Sequence, residues 1–343
     1  MSMPELKLVG AYGSPYSRKM RAVLRYRHIP FQWLLRENGA RDLPPVPVAL
    51  IPVLVIPGEN GSAPSAMVDS TFQIRRLEQM YAGRSVIPSD PAIAFLDELI
   101  EDYADEWLTK AMFHYRWAYA EDARKASRVL PLDMRLDLDA GQREFAAKFF
   151  GERQIGRLAV VGSNEVTKPV IESSYRRLLE LLSNHVERVP YLLGHRPGCG
   201  DFGVFGQLSQ LALFDPTAAR VAVDVAPRAI SWTNRMDDPS WVELDDEASG
   251  WVVRGALPDT LRAILAEIGR VYAPFLLANA AALASGADEV ACTIDGARWE
   301  QKPFPYQAKC LRWLRESRDR LSSADRAWVD GVLAGTGCEA LFA

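Results

Sequence analysis

Residues 6–26 read LKLVGAYGSPYSRKMRAVLRY, and this stretch decides the fold. Leu6–Ala11 is a short apolar run with the look of a strand, and Tyr12-Gly13-Ser14-Pro15 supplies loop chemistry. From about Tyr16 to Tyr26 the apolar residues Met20, Val23 and Leu24 fall on one face at helical spacing. A strand therefore runs into a tight loop and a helix, and the loop sets a hydroxyl, Ser14, at the helix start. A side chain there lies beside unpaired first-turn N–H groups and the positive end of the helix dipole, which stabilises an anion such as a thiolate. Taken alone, Ser14 reads as an ordinary N-cap.

The residues beyond this stretch add two elements. Phe31–Leu35 reads as a second strand, followed by a connection rich in proline (Pro44, Pro45, Pro47). Pro52 then precedes the apolar run Val53–Ile56, and Pro57-Gly58-Glu59-Asn60-Gly61 is a turn leading to a partner strand at Ala66–Val68. Asp69-Ser70 opens a helix through Tyr81, and Ser70 with Gln73 has the spacing of a capping box. Such a helix start can bind a carboxylate through N–H groups and the Ser70 hydroxyl, with Asp69 available for an ammonium. The order is β-α-β-loop-β-β-α.

From about Pro91 helical periodicity takes over, with helices predicted at Phe95–Tyr119, Gln142–Phe150, Pro169–Val186, Phe202–Phe214 and Pro227–Met236. Leu244–Gly250 reads as an exposed connection. The last 90 or so residues predict a helix over Pro258–Ala284 broken near Pro274, a hairpin over Val290–Gln301 turning at Asp295-Gly296, and short helices at Tyr306–Leu321 and Ser323–Leu333.

The segments SPYSRKMR (14–21), IPVLV (51–55) and MVDSTFQIRRLEQMY (67–81), in this order, resemble the glutathione S-transferase superfamily over roughly the first 245 residues. PGCGDFGVFGQL (197–208) resembles that family's buried N-capping motif, with Asp201 matching its aspartate. Gly198 stands where the family has Ser or Thr, so that capping bond is expected to be missing. The resemblance implies a thioredoxin-like α/β domain (1–86) and an all-α substrate domain (91–245); outside its reach, the remaining residues read as a mostly helical extension with a β-hairpin (250–343) packed on the helical domain. It implies that Ser14 donates to the glutathione sulfur. Ile51 would pair its backbone with the cysteinyl unit, Pro52 would be cis, and Asp69 and Ser70 would hold the γ-glutamyl end. Tyr12 and Ser17 lie close enough to replace Ser14. Arg36 and Arg41 are candidates for the glycyl carboxylate, and Tyr12, Trp107 and Tyr115 for the hydrophobic second site. Trp299, Phe304, Tyr306 and Trp313 either cap that pocket or join the extension to the helical domain.

The implied activity is a glutathione transferase of detoxification type, attacking a small hydrophobic electrophile as a cytoplasmic homodimer. A glutathione-dependent isomerase, an ether-cleaving or dehalogenating enzyme, and a non-catalytic binding protein of the same fold remain open.

Composition narrows the alternatives. With 40 Lys plus Arg against 44 Asp plus Glu, a net charge of −4 offers no footprint for nucleic acid. The four cysteines form no CxxC pair and the four histidines no pair at ligand spacing, which predicts neither a disulfide framework nor a metal centre. Cys310, between Lys309 and Arg312, reads as a buried helical thiol. No signal peptide and no membrane span are expected. Gly198-Cys199-Gly200-Asp201-Phe202-Gly203 fits G-x-G-x-x-G, with Asp224 about twenty residues on. No strand feeds the first glycine, so no nucleotide is expected.

Overall fold

The computed structural model describes residues 5–35, 43–58 and 62–343. The N-terminal part is a four-stranded sheet in the order β2-β1-β3-β4, built from β1 (Leu6–Gly10), β2 (Phe31–Leu35), β3 (Val53–Ile56) and β4 (Ser65–Met67). β1 pairs parallel to β2 and antiparallel to β3, and β3 antiparallel to β4, which is the thioredoxin-like arrangement. The central strand β3 is buried on both faces, as its continuous apolar run requires. Leu6, Leu8 and Leu54 face α1 (Pro15–Tyr26) and α2 (Ser70–Met80) in the main core, while Val9, Val53 and Val55 form a second cluster on the opposite face.

Helices follow: α3 (Pro91–Tyr103), α4 (Thr109–Ala118), α5 (Ala120–Met134), α6 (Ala140–Ile155), α7 (Lys168–Val186), α8 (Cys199–Leu211), α9 (Pro216–Val225) and α10 (Pro227–Met236). The single helix expected over Phe95–Tyr119 is interrupted by a π-turn, Ala104–Leu108, between α3 and α4. Helix α8 is buried along its whole length, and Gly206 lets α1 come close: a Cβ there would lie 2.7 Å from the Pro15 carbonyl oxygen.

The missing cap at Gly198 is replaced from outside the helix. Asp97 of α3 accepts from the Cys199 and Gly200 N–H groups (2.8 and 2.9 Å), while Asp201 accepts from Gly198 N and Leu192 N. The first-turn N–H groups of the G-x-G-x-x-G segment thus face a protein carboxylate.

The C-terminal part holds α11 (Asp259–Ser285), β5 (Val290–Ile294), β6 (Ala297–Gln301), α12 (Pro305–Asp319) and α13 (Ser323–Leu333). The expected break at Pro274 is absent, because Pro274 lies inside one continuous helix that ends at Gly286 in the left-handed conformation. Val271, Tyr272, Phe275 and Leu276 are all fully buried around it, so packing offsets the lost backbone bond. The hairpin turns where expected, with positive φ at both Asp295 (53°) and Gly296 (76°), as a two-residue primed turn demands. Its Trp299 is fully buried against Trp107 and Phe275, joining the hairpin to the helical part.

Candidate active site

Ser14 is the N-cap of α1. Its backbone is extended (φ −98°, ψ 119°), and its Oγ accepts from the Ser17 N–H at 3.2 Å, a bond that uses a lone pair and leaves the hydroxyl hydrogen without an acceptor among the described residues. Pro15 at the first helical position carries no N–H, so the Tyr16 N–H is the remaining first-turn donor. Ser17 is fully buried and its Oγ accepts from Ala11 N at 3.3 Å. That removes it as an alternative to Ser14, since it has no surface to offer a ligand. Tyr12 is 39% exposed, but its ring packs on Trp33 and under the Arg21 guanidinium.

The loop around Ser14 is held from the helical part. Arg116 of α4, buried and paired with Asp215 (2.8 Å), donates to the Gly13 carbonyl at 2.9 Å, and Gln210 donates to the Tyr12 carbonyl at 3.2 Å. A Cβ at Gly13 would lie 2.4 Å from the Leu130 Cδ2 methyl of α5, so a larger residue there would have to push that side chain aside.

The second element is the Ile51–Pro52 peptide, which is cis. The third is Asp69, which adopts φ 76° and ψ 108°, a left-handed conformation costing a non-glycine residue about 1–3 kcal/mol. It is the N-cap of α2 through Oδ1, which accepts from Thr71 N at 3.1 Å. Ser70 is therefore the first helical residue, and the capping box read from Ser70 and Gln73 does not form. Gln73 is turned inward instead, donating to the Pro52 carbonyl (2.9 Å) and the Met67 carbonyl (2.8 Å). One buried amide thus fixes the cis-proline strand and the strand before Asp69 to the same helix. The sequence signal at Gln73 was real, but a capping glutamine and a buried one look identical in a single chain.

Beneath these elements lies a charged group that hydropathy does not reveal. Lys19 of α1, fully buried, reaches Glu101 and Asp105 at 2.6 Å each, and Thr71 donates to the same Glu101 oxygen at 3.0 Å. Burial opposes the charge on Lys19, yet the two carboxylates outweigh it and hold the ammonium protonated, its pKa above the ordinary lysine value. Breaking such a pair by removing one partner typically costs about 3–5 kcal/mol. The π-turn exposes backbone carbonyls that side chains take up: Tyr16 donates to Asp105 O (2.8 Å), and Gln307 of α12 donates to Glu106 O (3.3 Å) and Oε2 (3.0 Å). Burial pushes the Glu106 carboxyl up to about 7, opposed by the Gln307 hydrogen bond and reinforced by Asp105.

Two candidates for the hydrophobic second site lie in the core. Trp107 is fully buried, donating to Ser174 Oγ at 3.2 Å and packing on Trp299, and Tyr115 is buried between Tyr119 and Tyr175. Both are core side chains: Trp107, in the π-turn, is covered by the hairpin and α7, and Tyr115 of α4 by α7 and Tyr119. Arg36 and Arg41 lie outside the described residues. Tyr306 reaches the site, its hydroxyl donating to Asp69 Oδ2 at 2.5 Å, whereas Trp299 packs in the core. A cavity of about 290 Å³ behind α2 is lined by Thr71, Arg75, Glu98, Glu101 and Ser317, and Ser14, Pro52 and Asp69 do not line it. Among the described residues no cluster of His, Cys, Asp or Glu is arranged to hold a metal ion, and no helix is long and apolar enough to cross a membrane.

Residues 8–85 match the family model of the glutathione S-transferase N-terminal domain. By this match the N-terminal part of the chain is similar to the glutathione S-transferase superfamily. A curated relative, glutathione S-transferase U6 of Arabidopsis thaliana, is 25% identical over 167 residues, covering 47% of this chain and 70% of that protein. Among solved structures, a glutathione transferase family member from Pseudomonas fluorescens with two glutathione bound is 15% identical (TM-score 0.42; 69% of this chain, 95% of that one). The Tau class glutathione S-transferase of mango, Mangifera indica, is 18% identical (TM-score 0.40; 76% and 95%). The family match spans all three elements, Ser14, Ile51-Pro52 and Asp69-Ser70, and stops short of α3.

Proposed function

We propose that this protein is a glutathione S-transferase superfamily member that binds glutathione and activates its thiol for attack on a hydrophobic electrophile. The observation that carries the reading is the occurrence together, in one thioredoxin-like sheet, of three features. These are an N-capping serine whose hydroxyl hydrogen has no acceptor among the described residues, a cis-proline before β3, and an aspartate with positive φ opening α2. Ser14 donates to the sulfur and stabilises the thiolate. Ile51 offers its backbone to the cysteinyl unit, and Asp69 with Ser70 takes the γ-glutamyl ammonium and carboxylate.

The energetics are sufficient without a metal. Lowering a thiol pKa from about 8.5 to about 6.5 requires roughly 2.7 kcal/mol. A charge-assisted hydrogen bond contributes about 1.5–3 kcal/mol and a helix N-terminus about 0.3–2. The thiolate then forms the new carbon–sulfur bond while the electrophile's leaving group, or its displaced π electrons, takes up the charge. The reading extends to a cytoplasmic homodimer engaged in detoxification.

Burial of Trp107 and Tyr115 favours one second reading, a glutathione-binding protein without turnover, since it withdraws two side chains from the electrophile site. Retention on immobilised glutathione without conjugation of a generic aryl halide would select that reading. For the enzyme, Ser14→Ala is expected to slow conjugation by at least about ten-fold, a loss of about 1.4 kcal/mol. An unchanged rate would remove Ser14 from the mechanism.

A further inference from the structure

We propose that Tyr306, from the C-terminal extension, is a positioning residue of the glutathione site, holding the Asp69 carboxylate ready for the γ-glutamyl ammonium. The proposal rests on the glutathione reading above and adds a part of the chain that the family match over residues 8–85 does not reach.

Three observations support it. The first is the contact itself, with Tyr306 donating to Asp69 Oδ2 at 2.5 Å across 237 positions of sequence. Among the described residues Asp69 has two protein donors, Thr71 N on Oδ1 and Tyr306 on Oδ2. A carboxylate offers about four lone-pair sites, so about two stay open to a ligand. Both donors are neutral groups, so neither supplies a countercharge in place of a ligand cation.

The second is that the extension is rooted rather than poised to leave. Helix α12 buries Gln307, Cys310, Leu311 and Leu314, and Gln307 is bonded to the π-turn at Glu106. Further along, Ser317 donates to Glu98 at 2.5 Å, and Arg254 bridges Asp90 and Asp325. Tyr306 is thus a fixed wall of the site. It cannot act as a plug that glutathione displaces without unseating the helix.

The third is the state of the phenol. Burial, together with the adjacent Asp69 charge, holds its pKa above the ordinary tyrosine value, so it remains a donor throughout the physiological range. A carboxylate already fixed by two donors binds an ammonium without having to be ordered at the moment of binding.

The test compares glutathione with its desamino analogue, in which hydrogen replaces the γ-glutamyl amine. Wild type is expected to prefer glutathione, and Tyr306→Phe, which keeps the ring against Trp313, to weaken glutathione at least five-fold while leaving the analogue within two-fold. A purely structural role would weaken both ligands equally. In an Asp69→Asn background, Tyr306→Phe is expected to change neither affinity, and this second variant also carries the test if the first is poorly folded. Equal losses, no loss, or tighter glutathione binding by Tyr306→Phe (the signature of a blocking side chain) would each overturn the proposal. If wild type binds neither ligand, the glutathione reading itself fails, an outcome separate from these.

Discussion

Gly198 offers a test in which local sequence rules and the structure predict opposite signs. At an N-cap, serine is normally better than glycine, and Gly198→Ser alone should stabilise α8 by a few tenths of a kcal/mol. The backbone does not ask for glycine, since φ is −101° and ψ 178°. Space does: a Cβ at residue 198 would lie 2.6 Å from Asp97 Oδ1 and 3.0 Å from its Cγ. Asp97 is 1% exposed and tied to the Cys199 and Gly200 N–H groups, so it can yield only by giving up those bonds. Two such hydrogen bonds are worth about 1–3 kcal/mol each, and the serine would recover only a few tenths. Gly198→Ser is therefore expected to destabilise by about 2–6 kcal/mol, read as a lower urea midpoint by tryptophan fluorescence. Adding Asp97→Ala to Gly198→Ser should cost less than the sum of the two single changes, because the serine then caps a helix end from which the obstacle has gone. Equal or greater stability of Gly198→Ser would refute the reasoning.

Other perturbations follow from the site. Gln73→Leu removes the donor to the Pro52 and Met67 carbonyls, and should raise the KM for glutathione several-fold at a stability cost of about 1–3 kcal/mol. A steady-state titration of glutathione with a parallel thermal melt separates the two effects. Glu106 has its carboxyl raised from 4.5 to about 7 by burial, so the folded state binds the extra proton between those values. Its contribution to stability is thus greatest below about pH 4.5 and is lost as pH rises through about 7. Glu106→Gln, which keeps an acceptor for Gln307, should flatten this part of the melting-temperature profile, and an unaltered profile would remove Glu106 as its source.

The parts of the fold legible in the sequence are those set by near neighbours. The strand-loop-helix at Leu6–Tyr26, the β-β-α order ending at Asp69 and the Asp295-Gly296 turn each follow from residues within a few positions of one another. The misread features depend on distant partners. Pro274 fails to break α11 because buried neighbours hold the helix on both sides, and Asp97 caps a helix about a hundred residues downstream. The π-turn was invisible because its freed carbonyls are satisfied by Tyr16 and Gln307, from opposite ends of the chain. At the site, Ser14, Pro52 and Asp69 could be picked out, whereas Lys19, Arg116 and Tyr306 could not. A buried cation and a surface one are the same letter until the carboxylate opposite it is known.

The central claim is that Ser14 at the start of α1 turns the bound glutathione thiol into a thiolate, and the pKa of that thiol tests it most directly. Titrating the ultraviolet absorbance of the thiolate in the binary complex should give a value about two units below the free thiol's roughly 8.5, returning toward it in Ser14→Ala. A bound thiol that titrates like free glutathione, or one that stays depressed without the Ser14 hydroxyl, would contradict the account.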